Sequence, residues 1–425
     1  MMNYKLHTPE GVRDLLPEEC AKKKEIEKRI ECVLNRYGYY NVETPTFEYY
    51  DVFLEKKGDI HQKHIYKFSD REGDILALRP DMTPPIARIG ATAFKEEKKP
   101  IRLCYFGNAF RYNESLQGKT REFSQAGVEL LGINSDEADG EVIALAINSL
   151  LAAGLNDFQI DLGQVEFFKG ILQEAGLNEE EGEELRQLIE NKDFIGVEEF
   201  VEQFQLNSNL KELFLDIPKL CGQIDIIEKT KARTENIRAK KALEKLENVY
   251  SFLCDYGIEK YVSFDLGMVN RINYYTGIIF RGYTFGTGSS ILDGGRYDKL
   301  LGEFGHDCPA VGFGIMTDQL INAINRQKIE IPVWKVDTLL VYNKEGRKQA
   351  LMTADILRRE GMYIENSLLD GDIEANKEYA KAKNIDGILY FVDNKNIELI
   401  NLRTNNTVKT TVDLLLEGSE GREEN

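Results

Sequence analysis

"FRYNESLQGKTREFSQAGVE", residues 110–129, is the stretch whose reading decides the fold. It sets Arg111 and Arg121 on either side of a polar loop with Gly118 at its centre, and apolar residues flank it at both ends. The pattern predicts two strands joined by a loop that touches an anion, such as a nucleotide phosphate. On these residues alone two readings of the loop stay open. Either it serves nucleotide chemistry, or it is inherited architecture with another task.

Working outward, the N-terminal side carries a well-signalled helix. Pro17 stands near its start, Glu18 and Glu19 suit the positive end of the helix dipole, and Gly38 ends it. Ile26, Ile30, Val33, Leu34 and Tyr37 fall on one face. Strands are predicted over YYNVETPTFEY (39–49), ILALRPD (75–81), IRLCYFGNAFRY (101–112), EFSQAGVELLG (122–132) and DFQIDLG (157–163), with a helix at 136–153. From about 169 to 257 the chain turns rich in Glu, Leu and Lys at helical spacing. Leu243, Leu246, Val249, Tyr250 and Leu253 make one apolar stripe of the kind that packs into a core, and Gly257 caps it.

Strands resume at YVSFDLG (261–267), GIIFRGYTF (277–285) and AVGFGIM (310–316), so the helical stretch reads as an insertion in a core spanning 1–325. GTGSSILDGGRYDKLLGEFG (286–305) reads as a glycine-rich turn, and RQKIEIPVWK (326–335) as a linker. Strand and helix then alternate: VDTLLVY, a helix at 345–361, MYIENSLL, a helix at 372–384, DGILYFVD, IELINLRT and a last short helix. This predicts a small α/β domain at 334–417 with a sheet of parallel character. The tail 418–425 is expected to be disordered.

A chain of 425 residues with 42% hydrophobic and 30% charged content fits two or three domains with a sizeable core. The net charge of −18 argues against a passive nucleic-acid coat and leaves room for a local basic site. The N-terminus lacks the apolar segment of a signal peptide, and no apolar run approaches the ~18 residues of a membrane span. The cysteines at 20, 32, 104, 221, 254 and 308 form no Cys-x-x-Cys pair, which predicts reduced thiols in a cytoplasmic protein and no zinc ribbon. HQKH (61–64) holds two imidazoles three apart, but no carboxylate-histidine set nearby completes a metal site, so none is expected.

Several segments together resemble the histidyl-tRNA synthetase family, including its non-synthetase branch, the regulatory subunits of ATP phosphoribosyltransferase. They are PEGVRDLLPEE, TPTFEYYDVF, LALRPDMTPPIAR, FGNAFRYNESLQGKTREFSQAGVELLG, NYYTGIIF, GGRYDKLLGEFG and AVGFGI, in the family's order from residue 9 to about 316. The resemblance implies an α+β, class II aminoacyl-tRNA synthetase-like fold: an antiparallel sheet with flanking helices, the helical insertion and an anticodon-binding-like C-terminal domain.

By resemblance, Asp81 stands where the synthetase's glutamate meets the histidine ammonium. Gln125 and Glu129 stand where it keeps amino-acid ligands, and Tyr275 where a tyrosine meets the imidazole. Carboxylates suit a cation because they accept charge-assisted hydrogen bonds. The plainer reading is that these residues satisfy one another within the sheet. Arg296 and Asp298 in GGRYD either brace a turn or border this pocket, and both readings stay open.

Arg111 and Arg121 match loop arginines of the nucleotide site, but Asn113, Asn270 and Asn273 fall on a glutamate, an arginine and an aspartate of the synthetase, and Gln319 falls on its motif 3 arginine. Arg271 is one position late, which on a strand points to the opposite face. Neutral amides cannot neutralise a phosphate, so Arg111 and Arg121 are read as a vestigial nucleotide loop, with no catalytic residues and no cofactor expected. The implied role is that of a non-catalytic regulatory subunit in the first step of histidine biosynthesis. Its implied partner is a short-form ATP phosphoribosyltransferase catalytic subunit, with histidine as effector, in a homodimer within a hetero-oligomer; no tRNA or membrane partner is implied. The alternatives are an active histidyl-tRNA synthetase and an orphan histidine- or tRNA-binding paralogue.

Overall fold

In the computed structural model, which describes residues 4–54, 62–112, 120–268, 275–369 and 372–420, the decisive stretch is a hairpin at the heart of a large sheet. That sheet contains β1 (Tyr40–Asn41), β2 (Ile101–Phe110), β3 (Glu122–Leu131), β4 (Gln159–Gln164), β5 (Cys221–Gly222), β6 (Val262–Asp265), β7 (Ile278–Tyr283), β8 (Leu292–Arg296) and β9 (Ala310–Met316). The spatial order is β1-β2-β3-β9-β8-β7-β4-β6-β5. From β2 through β4 every neighbouring pair is antiparallel. β2 and β3 pair from Ile101↔Leu131 to Phe110↔Glu122, and the ladder runs on as Arg111 N–H donates to the Arg121 carbonyl at 2.8 Å. The loop between them, with Asn113 and Gly118, lies outside the described residues.

Helix α1 (Pro17–Arg36) buries Ile26, Ile30 and Leu34, as its spacing predicts. At about 1.5–3 kcal/mol for each fully buried aliphatic side chain, that stripe stabilises the helix far more than its intrinsic propensity does. α2 is Thr83–Ala91 and α3 is Asp136–Ala152. α3 is capped by Ser135, whose hydroxyl accepts from Ala138 N–H, and it is apolar almost all round because it packs on β3 and β9 and between α1 and the helix Ile237–Asp255.

Several features depart from the sequence reading. The run 39–49 is not one strand. Pro45 cannot donate to a ladder, and the chain splits there into β1 and a separate strand, Phe47–Tyr49, which joins Lys67–Ser69 and Ile75–Leu78 in a small sheet. α2 was not anticipated in LRPDMTPP, but Pro84 and Pro85 occupy its first turn, where no amide donor is needed. The glycine-rich turn at 286–305 contains β8, a central strand whose glycines disguise it. The two-residue β5 interrupts the otherwise helical insertion.

Contacts divide the chain into two units, Met1–Ile331 and Pro332–Asn425. In the second, Thr338–Tyr342 pairs in parallel with Ile364–Asn366 and with Gly387–Phe391, as alternation implies. Asn396–Asn401 and Asn406–Thr411 then add an antiparallel edge, so the sheet is mixed. Asn406–Thr411 was missed because its exposed, polar side chains carry no hydrophobic alternation. The last helix, Val412–Glu420, runs into the segment expected to be disordered: Leu415 and Leu416 pack on the unit's core and hold the helix that continues from them.

Candidate functional site

One face of β3, β9 and β8 carries the side chains of the site. Residues opposite one another across the ladders share a face, so Gln125, Gly127 and Glu129 align with Met316, Gly314 and Gly312, and these with Asp293 and Gly295. Glycine at this level hollows the sheet. A Cβ at Gly312 would lie 1.8 Å from Glu129 Oε2, and one at Gly127 2.3 Å from the Tyr105 hydroxyl. The result is a concave pocket of about 60 Å³, lined by Asp81, Arg111, Gln125, Glu129, Tyr275, Asp293 and their neighbours. It thus brings together all four residues expected to bind histidine, and Arg111 with them.

Each is positioned by its element. Arg79, buried, donates to the carbonyls of Thr44 and Asn108 at 2.7 Å each, pinning the chain just ahead of Asp81. Asp81 Oδ1 accepts from Thr83 N–H at 3.1 Å at the start of α2, and Oδ2 lies 3.8 Å from Arg111 Nη2. Arg111 also donates to the Pro80 carbonyl at 2.8 Å and lies over the Phe123 ring. Arg121 goes elsewhere. It pairs with Glu10 at 3.3 Å and packs over Tyr112, and a Cβ at Gly11 would collide with its side chain. The two loop arginines therefore do not converge on one anion.

Glu129 is the centre of the pocket, 1% exposed. Its Oε2 accepts from the Tyr297 hydroxyl at 2.5 Å and its Oε1 from the Thr83 hydroxyl at 3.0 Å. Burial pushes its carboxyl up to about 8, against the pull of those two donors, and the nearby Asp81 adds to the rise. Gln125 Nε2 donates to Met316 Sδ at 3.4 Å, while its buried Oε1 has no hydrogen-bond partner. Among the described lining residues Arg111 is the one cation against Asp81, Glu129 and Asp293. An arrangement with surplus acids and an unmet acceptor suits a small ligand rich in N–H donors.

GGRYD does both things the sequence left open, by alternation along the strand. Arg296, 2% exposed, braces: Nη2 meets Asp139 at 2.7 Å and Nη1 meets Asp298 at 3.2 Å. Tyr297 borders the pocket through Glu129. Thr83, Tyr105, Asp293 and Tyr297 were not singled out from sequence. Thr83 and Tyr297 lie inside quoted motifs and could have been found there, whereas Tyr105 and Asp293 carry no local signal. Gln319 sits half-buried in the first turn of the helix Thr317–Arg326. Asn113, Asn270, Arg271 and Asn273 lie outside the described residues, as does His61; His64 Nδ1 is 2.6 Å from the Tyr112 carbonyl. No described helix is long and apolar enough to cross a membrane.

A hairpin-centred antiparallel sheet with a glycine-hollowed acidic pocket on one face defines the class II aminoacyl-tRNA synthetase-like fold of the histidyl type. The profile of the histidyl-tRNA synthetase family matches residues 11–320. A Nostoc histidyl-tRNA synthetase superposes with TM-score 0.83 over 99% of this chain and 100% of its own, at 23% identity, which speaks for the fold alone. A Bacillus halodurans structure described as an ATP phosphoribosyltransferase regulatory subunit/histidyl-tRNA synthetase superposes with TM-score 0.81 at 34% identity, covering 91% of this chain and 98% of that one.

Among sequences, the ATP phosphoribosyltransferase regulatory subunit of Acetivibrio thermocellus is 50% identical over 98% of this chain and 100% of its own length. That of Ruminiclostridium cellulolyticum is 45% identical over 98% and 99%. The chain belongs to the family of ATP phosphoribosyltransferase regulatory subunits.

Proposed function

We propose that this chain performs no aminoacylation and no phosphoribosyl transfer of its own. It assembles, as a homodimer within a cytoplasmic hetero-oligomer, with a short-form catalytic chain that binds ATP and phosphoribosyl pyrophosphate. It supports that chain's activity in the first step of histidine biosynthesis, and it holds histidine at Asp81, Gln125, Glu129 and Tyr275 as the feedback effector. One observation carries the reading: an acidic pocket around Glu129 gathers Asp81, Gln125 and Tyr275, while Gln319, which the resemblance sets where the synthetase keeps its motif 3 arginine, is a neutral amide. Adenylate chemistry needs cations aimed at the developing phosphate charge, and the loss of one such donor typically costs about 10²–10³ in rate. A pocket that binds the amino acid without activating it is a sensor. By linkage, histidine favouring one state of the assembly shifts the catalytic chain with it.

The test is to mix the purified chain with a short-form transferase and assay product formation with and without histidine. Activity that needs both chains, and inhibition relieved by Glu129→Gln with assembly intact, is the expected result. Transferase activity of this chain alone, or a catalytic chain equally active without it, overturns the reading.

A further inference from the structure

Asp293 is the carboxylate of the pocket to which neither the synthetase pattern nor the mechanism above gives a role. It lies on β8, opposite Gly314 on β9 and Arg281 on β7, and so faces the same hollow as Gln125 and Glu129. Its Oδ2 accepts from the Ser290 hydroxyl at 3.0 Å. Its Oδ1 is buried and receives no hydrogen bond, although Arg281 Nε forms an ion pair with it at 3.6 Å. Burial raises its carboxyl; Arg281, the Ser290 hydrogen bond and then Arg111 oppose that rise, and the nearby Asp81 adds to it. The pocket therefore presents two buried acceptor atoms without hydrogen bonds, Gln125 Oε1 and Asp293 Oδ1. Leaving such atoms unmet is costly, so each marks a place where a donor belongs.

We propose that Asp293 determines the specificity of this pocket: its Oδ1 accepts a hydrogen bond from the ligand's protonated amine, and its charge selects amine ligands over anionic ones. The inference rests on the histidine reading of the pocket and adds a residue and a selection rule to it. Among the described lining residues Arg111 is the one guanidinium, and Asp81 balances it; Asp293, whose outer partner Arg281 lies behind it, tips the lining toward negative charge, the wrong sign for a phosphate and the right one for an ammonium. Asp293 thus opposes nucleotide binding from inside the hollow, independently of the amide at Gln319.

Calorimetry on the full chain with three probes tests this: L-histidine, histamine, which has the amine but no carboxylate, and imidazolepropionate, which has the carboxylate but no amine. Asp293→Asn keeps the shape and removes the charge. It is expected to weaken histidine and histamine by roughly ten- to a hundred-fold, while imidazolepropionate is unchanged or improved. Equal weakening of all three probes assigns Asp293 a merely structural role and overturns the proposal. Unchanged histidine affinity in Asp293→Asn, with affinity lost in Glu129→Gln, overturns it while leaving the histidine pocket standing. Absence of binding by the wild-type chain to either amine removes both.

Discussion

Histidine binding should release a proton and strengthen as the pH rises from 7 to 8, and Glu129→Gln should abolish both effects. In the empty pocket burial holds the Glu129 carboxyl at about 8. At pH 7 only about one molecule in eleven carries the charge there, and at pH 8 about half do. An ammonium ligand binds the ionised form, which lowers this pKa in the complex. The proton present in the free state below pH 8 must therefore leave on binding. The sign is fixed: affinity increases with pH and levels off above about 8. The cost of ionising Glu129 at pH 7 is about 1.4 kcal/mol, and raising the pH to 8 recovers about fivefold in affinity. The ligand's own amine stays charged across this range.

Isothermal titrations at pH 7 in two buffers of different ionisation enthalpy count the released protons, and about 0.9 per site is expected. Glu129→Gln keeps the volume, and its amide can still meet the hydroxyls of Thr83 and Tyr297. It should bind about ten- to a hundred-fold more weakly than wild type at pH 8, with a flat profile and no proton release from this site. Proton-free binding by the wild-type chain, or a variant that keeps the slope, would refute the argument that a buried neutral carboxyl is the ammonium's partner.

Other outcomes follow from the same geometry. Histidine-dependent ATP–pyrophosphate exchange should be absent, and Gln319→Arg alone should not restore it, because the amides at Asn113 and Asn270 remain; exchange at an ordinary synthetase rate refutes this. Arg296→Met should lower stability by up to about 3–5 kcal/mol, because Asp139 loses its partner in the core and its carboxyl, already raised by burial to about 6 against the pull of Arg296, must take up a proton; denaturant midpoints measure it. Gly312→Ala should eliminate histidine binding and lower the melting temperature, since its Cβ would overlap Glu129 Oε2; a variant that binds normally would show that the close approach is not needed.

The sequence by itself determined the hairpin, α1 and the long apolar stripe of Ile237–Asp255. Each is a long periodic segment with its own stop signals, so local sterics and burial of one face suffice to specify it. It also put Asp81, Gln125, Glu129 and Tyr275 on one list. Their convergence is tertiary: Asp81 and Tyr275 lie far along the chain from the β3 pair Gln125 and Glu129 and on other elements, and only the folded sheet and the segments flanking it put all four around one hollow. β8 could not be read locally, because Gly294 and Gly295 look like a turn until the strands on either side require backbone at close approach. Asp293 and Tyr105 reach the pocket the same way. Arg121 was separated from Arg111 for the converse reason: the cross-strand partner of one arginine was taken by Glu10 and Gly11, more than a hundred residues away. Pattern along a chain reports what one segment wants to bury, whereas a pocket is made by what several segments leave unfilled between them.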